Sequence, residues 1–395
     1  GAQATTGITV GGIPFYYGDT GSIYTHDVSG TDSTAQYNTA YGLTALDAIT
    51  TGDYNTAVGY NAGGAINTAT RNAMFGNAAG AAITSGSRNA LFGNNAGSTL
   101  TEGNHNLFMG GDSPGGAVTT GNRNHLLGYA AGDGFDTESD NLAIGYDALG
   151  GAVAGGEYNV AIGNYSLDAL TSGDYNIAIG YNAGSDLTEG ATNILIGHSA
   201  GQNITSASAS IFMGFEAGTA VTTNTENIGI GYRSGYSSTG TRNTMMGYKS
   251  ALNGTSFDDN VIIGYEACGT GVLTGNHGVV IGYQAGKALT SAGENILIGS
   301  LAGTSITTGG GNIMIGREAG DGFDTETHNL GVGLSALGGA INGGEYNVAI
   351  GNYSLDALTS GDYNIAIGYN AGSDLTEGAT NILIGHSAGQ NITSA

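Results

Sequence analysis

The sequence predicts an all-β fold, a β-solenoid (β-roll) of about 21 coils of 17 residues with parallel, in-register strands. Three observations predict it. An Asn is followed four residues later by Gly, and this pair recurs at near-constant spacing. The three residues between them are almost all apolar. The 395 residues include 75 Gly, and only 10% are charged. Ordinary chains have about 7% Gly and about 25% charge. Such a bias means either disorder or a repeat. Disorder needs few aliphatic residues and high charge density, whereas 40% of this chain is apolar. The repeat is therefore the reading taken.

The anchor Asn stands at 38, 55, 72, 89, 106, 124, 141, 159, 176 and 193. Ser210 takes the next place. Asn then returns at 227, 243 and 260, Gly278 substitutes once, and Asn resumes at 295, 312, 329, 347, 364 and 381. Steps are 16, 17 or 18 residues. Periods of this length mark solenoids, whose units bury a core only when stacked.

Each column has a physical reading. The triplet, as in Asn193-Ile194-Leu195-Ile196-Gly197, is a short strand. Asn side chains in register can pass amide hydrogen bonds from coil to coil. Asn55, Asn176 and Asn193 represent that ladder. The fourth place is always Gly, as at Gly59, Gly180 and Gly197. It requires positive φ or a missing Cβ. The seventh place is Ala or Ser, including Ser113 in its coil, which implies a tight corner. A later aliphatic, as at Ile83, Leu100 and Leu187, predicts a second very short strand before a Gly-rich turn. In the 18-residue coils the extra residue is expected between the corner and that aliphatic. At a strand spacing of about 4.8 Å, 21 stacked coils would make a rod on the order of 100 Å long.

Residues 1–37 do not follow the 17-residue frame and read as an N-terminal cap or docking segment. Residues 38–395 are the solenoid rod. Residues 155–207 recur unchanged as 343–395, which points to a segmental duplication. The sequence ends mid-coil at Ala395 with no C-terminal cap, so a longer chain or an end-to-end filament is expected.

Three consecutive apolar positions are more than a one-sided strand needs. One set fills the coil and the other forms an outward apolar stripe. A parallel homotrimer would cover that stripe. The alternative is a wider monomeric coil that buries all three.

The segments Asn55-Thr56-Ala57-Val58-Gly59-Tyr60 and Asn176-Ile177-Ala178-Ile179-Gly180-Tyr181 carry a family likeness. The unit resembles the glycine-rich β-solenoid repeat of tailed-phage fibres and bacterial surface fibres. It is related to the β-roll head repeat of trimeric autotransporter adhesins. The likeness covers residues 38–395. It implies a trimeric extracellular fibre, at a cell surface or on a virion, that binds a cell-surface glycan or receptor or spaces a binding tip.

Other functions find less support. The chain has 8 Lys and Arg against 32 Asp and Glu, a net charge of −24. Neutralising phosphates takes clustered Lys and Arg, so no nucleic-acid partner is expected. No apolar run approaches the roughly 20 residues of a membrane span. Cys268 is the lone cysteine. No nucleophile motif or paired-carboxylate cleft emerges from the uniform coils, so an enzyme is not expected, nor a cofactor. Calcium is the one metal considered, because Asp133, Asp136, Glu138 and Asp140 cluster on the insertion edge. Solvated turn acids are the plainer reading. Recurrent tyrosines after the invariant Gly, among them Tyr60, Tyr181, Tyr232 and Tyr265, are candidates for a surface-binding strip. The plainer reading is that such a ladder stiffens the corner. Thr84, Thr101, Thr171, Thr188, Thr290 and Thr376 form a column that keeps an ice-binding solenoid as the alternative.

Overall fold

The computed structural model describes residues 5–10, 13–18, 20–27, 31, 33–152, 154–339 and 342–394. Residues 1–4, where the expected cap begins, and Ala395 lie outside them. The chain divides into two units, residues 1–195 and 196–395, and each is built of the same coil. About 21 turns, about 17 residues apart, make up the two solenoids, and no helix occurs among the described residues.

Each coil contributes one three-residue strand. In the first unit, Thr39, Thr56, Ala73, Ala90 and Leu107 pair in parallel register. In the second, Ile211, Ile228, Thr244, Val261 and Val279 do the same. Before them, β1 (Thr5–Val10) and β2 (Ile13–Tyr17) pair antiparallel, and β2 pairs antiparallel with β3 (Ile23–Tyr24). The parallel register already starts at β3, whose partner is β4 (Thr39–Tyr41). Ser22 stands in the Asn place there, and its Oγ accepts the Asn38 N–H at 3.0 Å. A Ser in place of Asn hides this first coil in the sequence.

The Asn side chains form a continuous hydrogen-bonded column within long stretches of each unit. Asn176 is fully buried. Its Oδ1 accepts both the backbone N–H and the side-chain Nδ2 of Asn193, at 3.0 and 3.1 Å. Its own Nδ2 donates to Asn159 Oδ1 at 3.1 Å and to the Gly190 carbonyl at 2.9 Å. Asn55 is bonded in the same pattern to Asn38, Asn72 and the Ala69 carbonyl. Each rung thus joins neighbouring coils and also closes its own coil by holding the returning turn. This accounts for buried polar groups that would otherwise be orphaned.

The corner is where expectation and structure part. A second strand does not form among the described residues. Overlapping turns replace it: Ala62 N–H donates to Gly59 O, Gly64 N–H to Asn61 O, and Ile66 N–H to Gly63 O. Asn61 and Gly63 have φ of 55° and 57°. Positive φ at every second residue is the geometry of successive type II turns and is incompatible with an extended strand. The intervening N–H groups bond to the next coil, as Gly63 to Ala79 O and Ala65 to Ala81 O. Every other N–H therefore shapes the coil while its neighbour stacks it. The coil starting at Asn106 also departs from the expected pattern. Its extra residue precedes the corner, and Pro114, not Ser113, fills the buried place. Pro114 O accepts Gly97 N–H as Ala96 O accepts Gly80 N–H one coil earlier.

The coil interior is narrow. In the coil at Asn176 it holds Ala178, Ala183 and Leu187, all without solvent exposure. At two places a large side chain in one coil faces glycine in the next. Phe212 lies against Gly229, where an added Cβ would sit 2.6 Å from the ring. Met314 lies against Gly331 in the same way, with the Cβ position 2.9 Å from its sulfur. The glycines in the middle strand place are therefore packing complements. Cys268, fully buried, replaces a corner Gly at φ 50°, and burial pushes its thiol pKa upward.

Candidate interaction surface

The strand triplets present one surface. The middle residue points inward and is fully buried in nearly every described coil, while the first and third face outward. Ile315, Ile350 and Ile367 in the second unit are 37%, 37% and 36% exposed. In the first unit, Phe75 and Phe92 stack outward with ring centroids 5.1 Å apart. The apolar stripe expected from the triplet is thus present within each unit, and the coil does not bury all three positions.

The invariant Gly sets one border of this stripe. Gly59 has φ +138°, and an added Cβ would lie 2.2 Å from Gly76 O. Gly197 has φ +134°, with Gly214 O at 2.4 Å from the same position. Gly180 shares the conformation at φ 143°. Both reasons for glycine apply at once: a backbone region closed to L side chains, and a neighbouring carbonyl in the space. The bend throws the next residue outward. Tyr60, Tyr181, Tyr232 and Tyr265 are 58%, 47%, 37% and 44% exposed. In the second unit these side chains form an unbroken stack through His198, Phe215, Tyr232, Tyr248, Tyr265 and Tyr283, with centroids 4.9–5.4 Å apart. Stacked rings present edges and hydroxyls to solvent while their faces cover one another. Basic groups gather beside them. Arg233 and Lys249 lie over Tyr232 and Tyr248, at 5.5 and 5.1 Å from the ring centroids.

A second outward column, just before each Asn, escaped the sequence reading. Tyr37 stacks on Tyr54 at 4.9 Å, Tyr158 on Tyr175 at 4.9 Å, and Tyr346 on Tyr363 at 5.1 Å. Recurrent Tyr-Asn pairs are its sequence signal. Charged residues occupy the column between the runs of rings. Arg123 holds Asp140 at 2.5 and 2.6 Å, and Arg242 holds Asp259 at 2.6 and 2.9 Å. All residues of this column have φ near +60°, including Tyr, Arg, His and Asp.

The four acids considered for calcium take different partners. Glu138 is buried, and its Oε2 accepts the Asp136 and Thr137 N–H groups at 2.7 and 3.0 Å. Its Oε1 accepts Gly155 N–H at 2.9 Å. Gly155 belongs to an 18-residue coil, so this carboxylate ties the enlarged coil to its predecessor. Glu326 does the same for Gly343. Asp140 is paired with Arg123, whose guanidinium holds its carboxyl below the usual range. Asp136 accepts the Thr119 hydroxyl. Asp133 faces Asp147, and burial followed by that repulsion raises its pKa. Among the described residues no three His, Cys, Asp or Glu side chains gather as a metal site. The Thr column is likewise engaged: Thr171 and Thr290 donate their hydroxyl protons to Thr188 O and Thr307 O, each at 2.9 Å.

One acid on the corner carries a pH signature. Asp168 Oδ1 is buried without a hydrogen-bond partner. Burial first, then the Asp186 and Asp147 charges, push its pKa up to about 6. The folded state therefore holds this proton more tightly than the unfolded chain, with its ordinary value of 3.8. The contribution to stability is full below that ordinary value and is lost as pH rises through about 6. Asp168→Asn is expected to raise the melting temperature at neutral pH and to leave it unchanged in acid below the ordinary carboxylate range. Parallel melts of both proteins across pH check this, and a pH-independent difference would contradict it.

No helix among the described residues is long and apolar enough to cross a membrane. No protein-family model matches the chain, and no curated protein matches it either.

Proposed function

We propose that this chain is a structural segment of an extracellular fibre or filament, acting as a spacer or adhesive surface and self-associating as a parallel homotrimer. The observation that carries the proposal is the outward apolar stripe of the strand triplets, repeated coil after coil. Contiguous apolar patches of this extent are uncommon on monomers and mark association surfaces. Identical chains would match the stripe in period, because each presents the same strand spacing. Near-equivalence of the coils also favours a repeating mechanical role. Adhesion to a glycan or receptor would draw on the aromatic columns flanking the stripe.

The test is the mass in solution. The chain is 39.2 kDa, and sedimentation equilibrium is expected to give three times that mass. The triple variant Ile315→Lys, Ile350→Lys, Ile367→Lys keeps the buried middle positions intact and is expected to shift the population to monomer. Unchanged β-sheet circular dichroism would show that folding survives. A wild-type chain that stays monomeric at high concentration would refute self-association.

A further inference from the structure

In the second unit, the column before the Asn places carries His277, Glu294, Gly311, His328, Tyr346 and Tyr363 in successive coils. Rings stack along it: His328 on Tyr346 at 5.1 Å and 10°, and Tyr346 on Tyr363 at 5.1 Å and 3°. Gly311 brings no side chain, so the column lacks one rung. The result is an open notch of about 350 Å³ lined chiefly by His277, Glu294, Gly311, Thr327 and His328.

The walls of the notch are chemically distinct. One face of the His328 ring rests on Tyr346, and the other looks toward the vacant rung. A Cβ added to Gly311 would lie 3.2 Å from His328 Cδ2, so the imidazole borders that space directly. Glu294, on the other side, is exposed, and no Lys or Arg among the described residues stands within ion-pair distance of it. Glu294 and His328 are two coils apart, or about 10 Å at the usual strand spacing. That separation admits one flat group between them, as the ring at each occupied rung shows. Gly293, Gly310 and Gly311 keep the floor low.

We propose that this notch binds a planar organic cation, a guanidinium or amidinium group, stacked on His328 and paired with Glu294. A planar cation suits both walls at once: one face meets the ring, and the Glu294 carboxylate across the rung supplies the opposite charge. The same group can come from an arginine side chain of a protein partner or from a free small molecule. The site lies outside the apolar stripe and does not depend on self-association.

The experiment uses the full chain in mildly alkaline buffer. Benzamidine serves as the free cation and N-acetyl-arginine amide as the arginine mimic, each titrated against the His328 imidazole NMR signals. Saturable shifts with both probes are expected to show the shared chemistry. Binding of the arginine mimic alone would support a protein source, and binding of benzamidine alone a small-molecule source. Gly311→Tyr fills the rung, and the column already holds Tyr346 and Tyr363 at φ of 57° and 58°, so the variant is expected to fold and to lose binding. Glu294→Gln is expected to weaken binding about tenfold, as loss of one charge-assisted contact does. The proposal is overturned if neither probe saturates, if Gly311→Tyr binds as well as wild type, or if neutral benzamide binds as tightly as benzamidine.

Discussion

Gly59→Ala is expected to be the most damaging small substitution in the chain. The methyl group would stand 2.2 Å from Gly76 O and 2.6 Å from Gly76 C, both backbone atoms of the next coil. No flexible side chain is available to move aside. The residue would also be held at φ +138°, where L side chains are strained. Strain of about 1–3 kcal/mol adds to overpacking of about 1–3 kcal/mol. The coils must part at this point, which threatens the bond from Gly76 N–H to Val58 O. Gly155→Ala separates the two terms, since Gly155 has φ +112° but nothing within 4 Å of an added Cβ. Hydrogen exchange resolved by residue is the suitable measurement, because repeat arrays open locally and need not melt as one unit. Protection is expected to collapse near residues 41–76 in Gly59→Ala and to fall by a smaller amount, the φ strain alone, around Gly155 in Gly155→Ala. Equal losses in the two variants would remove the coil-contact argument and leave φ strain alone.

The second large effect is expected at the buried amide column. Asn176→Ala deletes an oxygen that accepts two hydrogen bonds from Asn193 and a nitrogen that donates two, to Asn159 and Gly190. The Asn193 N–H and Gly190 carbonyl then remain buried without those partners. At about 1–3 kcal/mol for each of these two groups, a loss of about 2–6 kcal/mol is expected in local opening free energy. The chain holds its own complementary case. Gly278 occupies an Asn place, takes Asn260 Oδ1 with its backbone N–H at 2.8 Å, and offers no oxygen to Asn295. Gly278→Asn is therefore expected to stabilise the second unit by about 1 kcal/mol, the net worth of a typical hydrogen bond. A Cβ there would lie 3.0 Å from Asn260 Oδ1, a close approach that a small shift of that amide relieves. If both substitutions prove neutral, the column is a by-product of stacking and does not hold the coils together.

The sequence by itself determined the coil. A 17-residue period, a triplet of apolar residues and fixed Asn and Gly columns admit few structures other than a stack of short parallel strands. The Asn ladder was legible because identical polar side chains at one buried place can satisfy one another only in register. The outward stripe was legible because three apolar neighbours in an extended strand cannot all face one side. The turn geometry and the partners of the turn residues were not legible, and only the tertiary structure decided them. It replaced the expected second strand with overlapping turns, because alternate residues there adopt positive φ, even at Asn61 and Leu167. It took Glu138, a calcium candidate, into three backbone hydrogen bonds, one of them to the enlarged coil beside it. It also revealed the second aromatic column and its missing rung at Gly311. A period fixes which residues recur, whereas the turn geometry between periods fixes which of them meet.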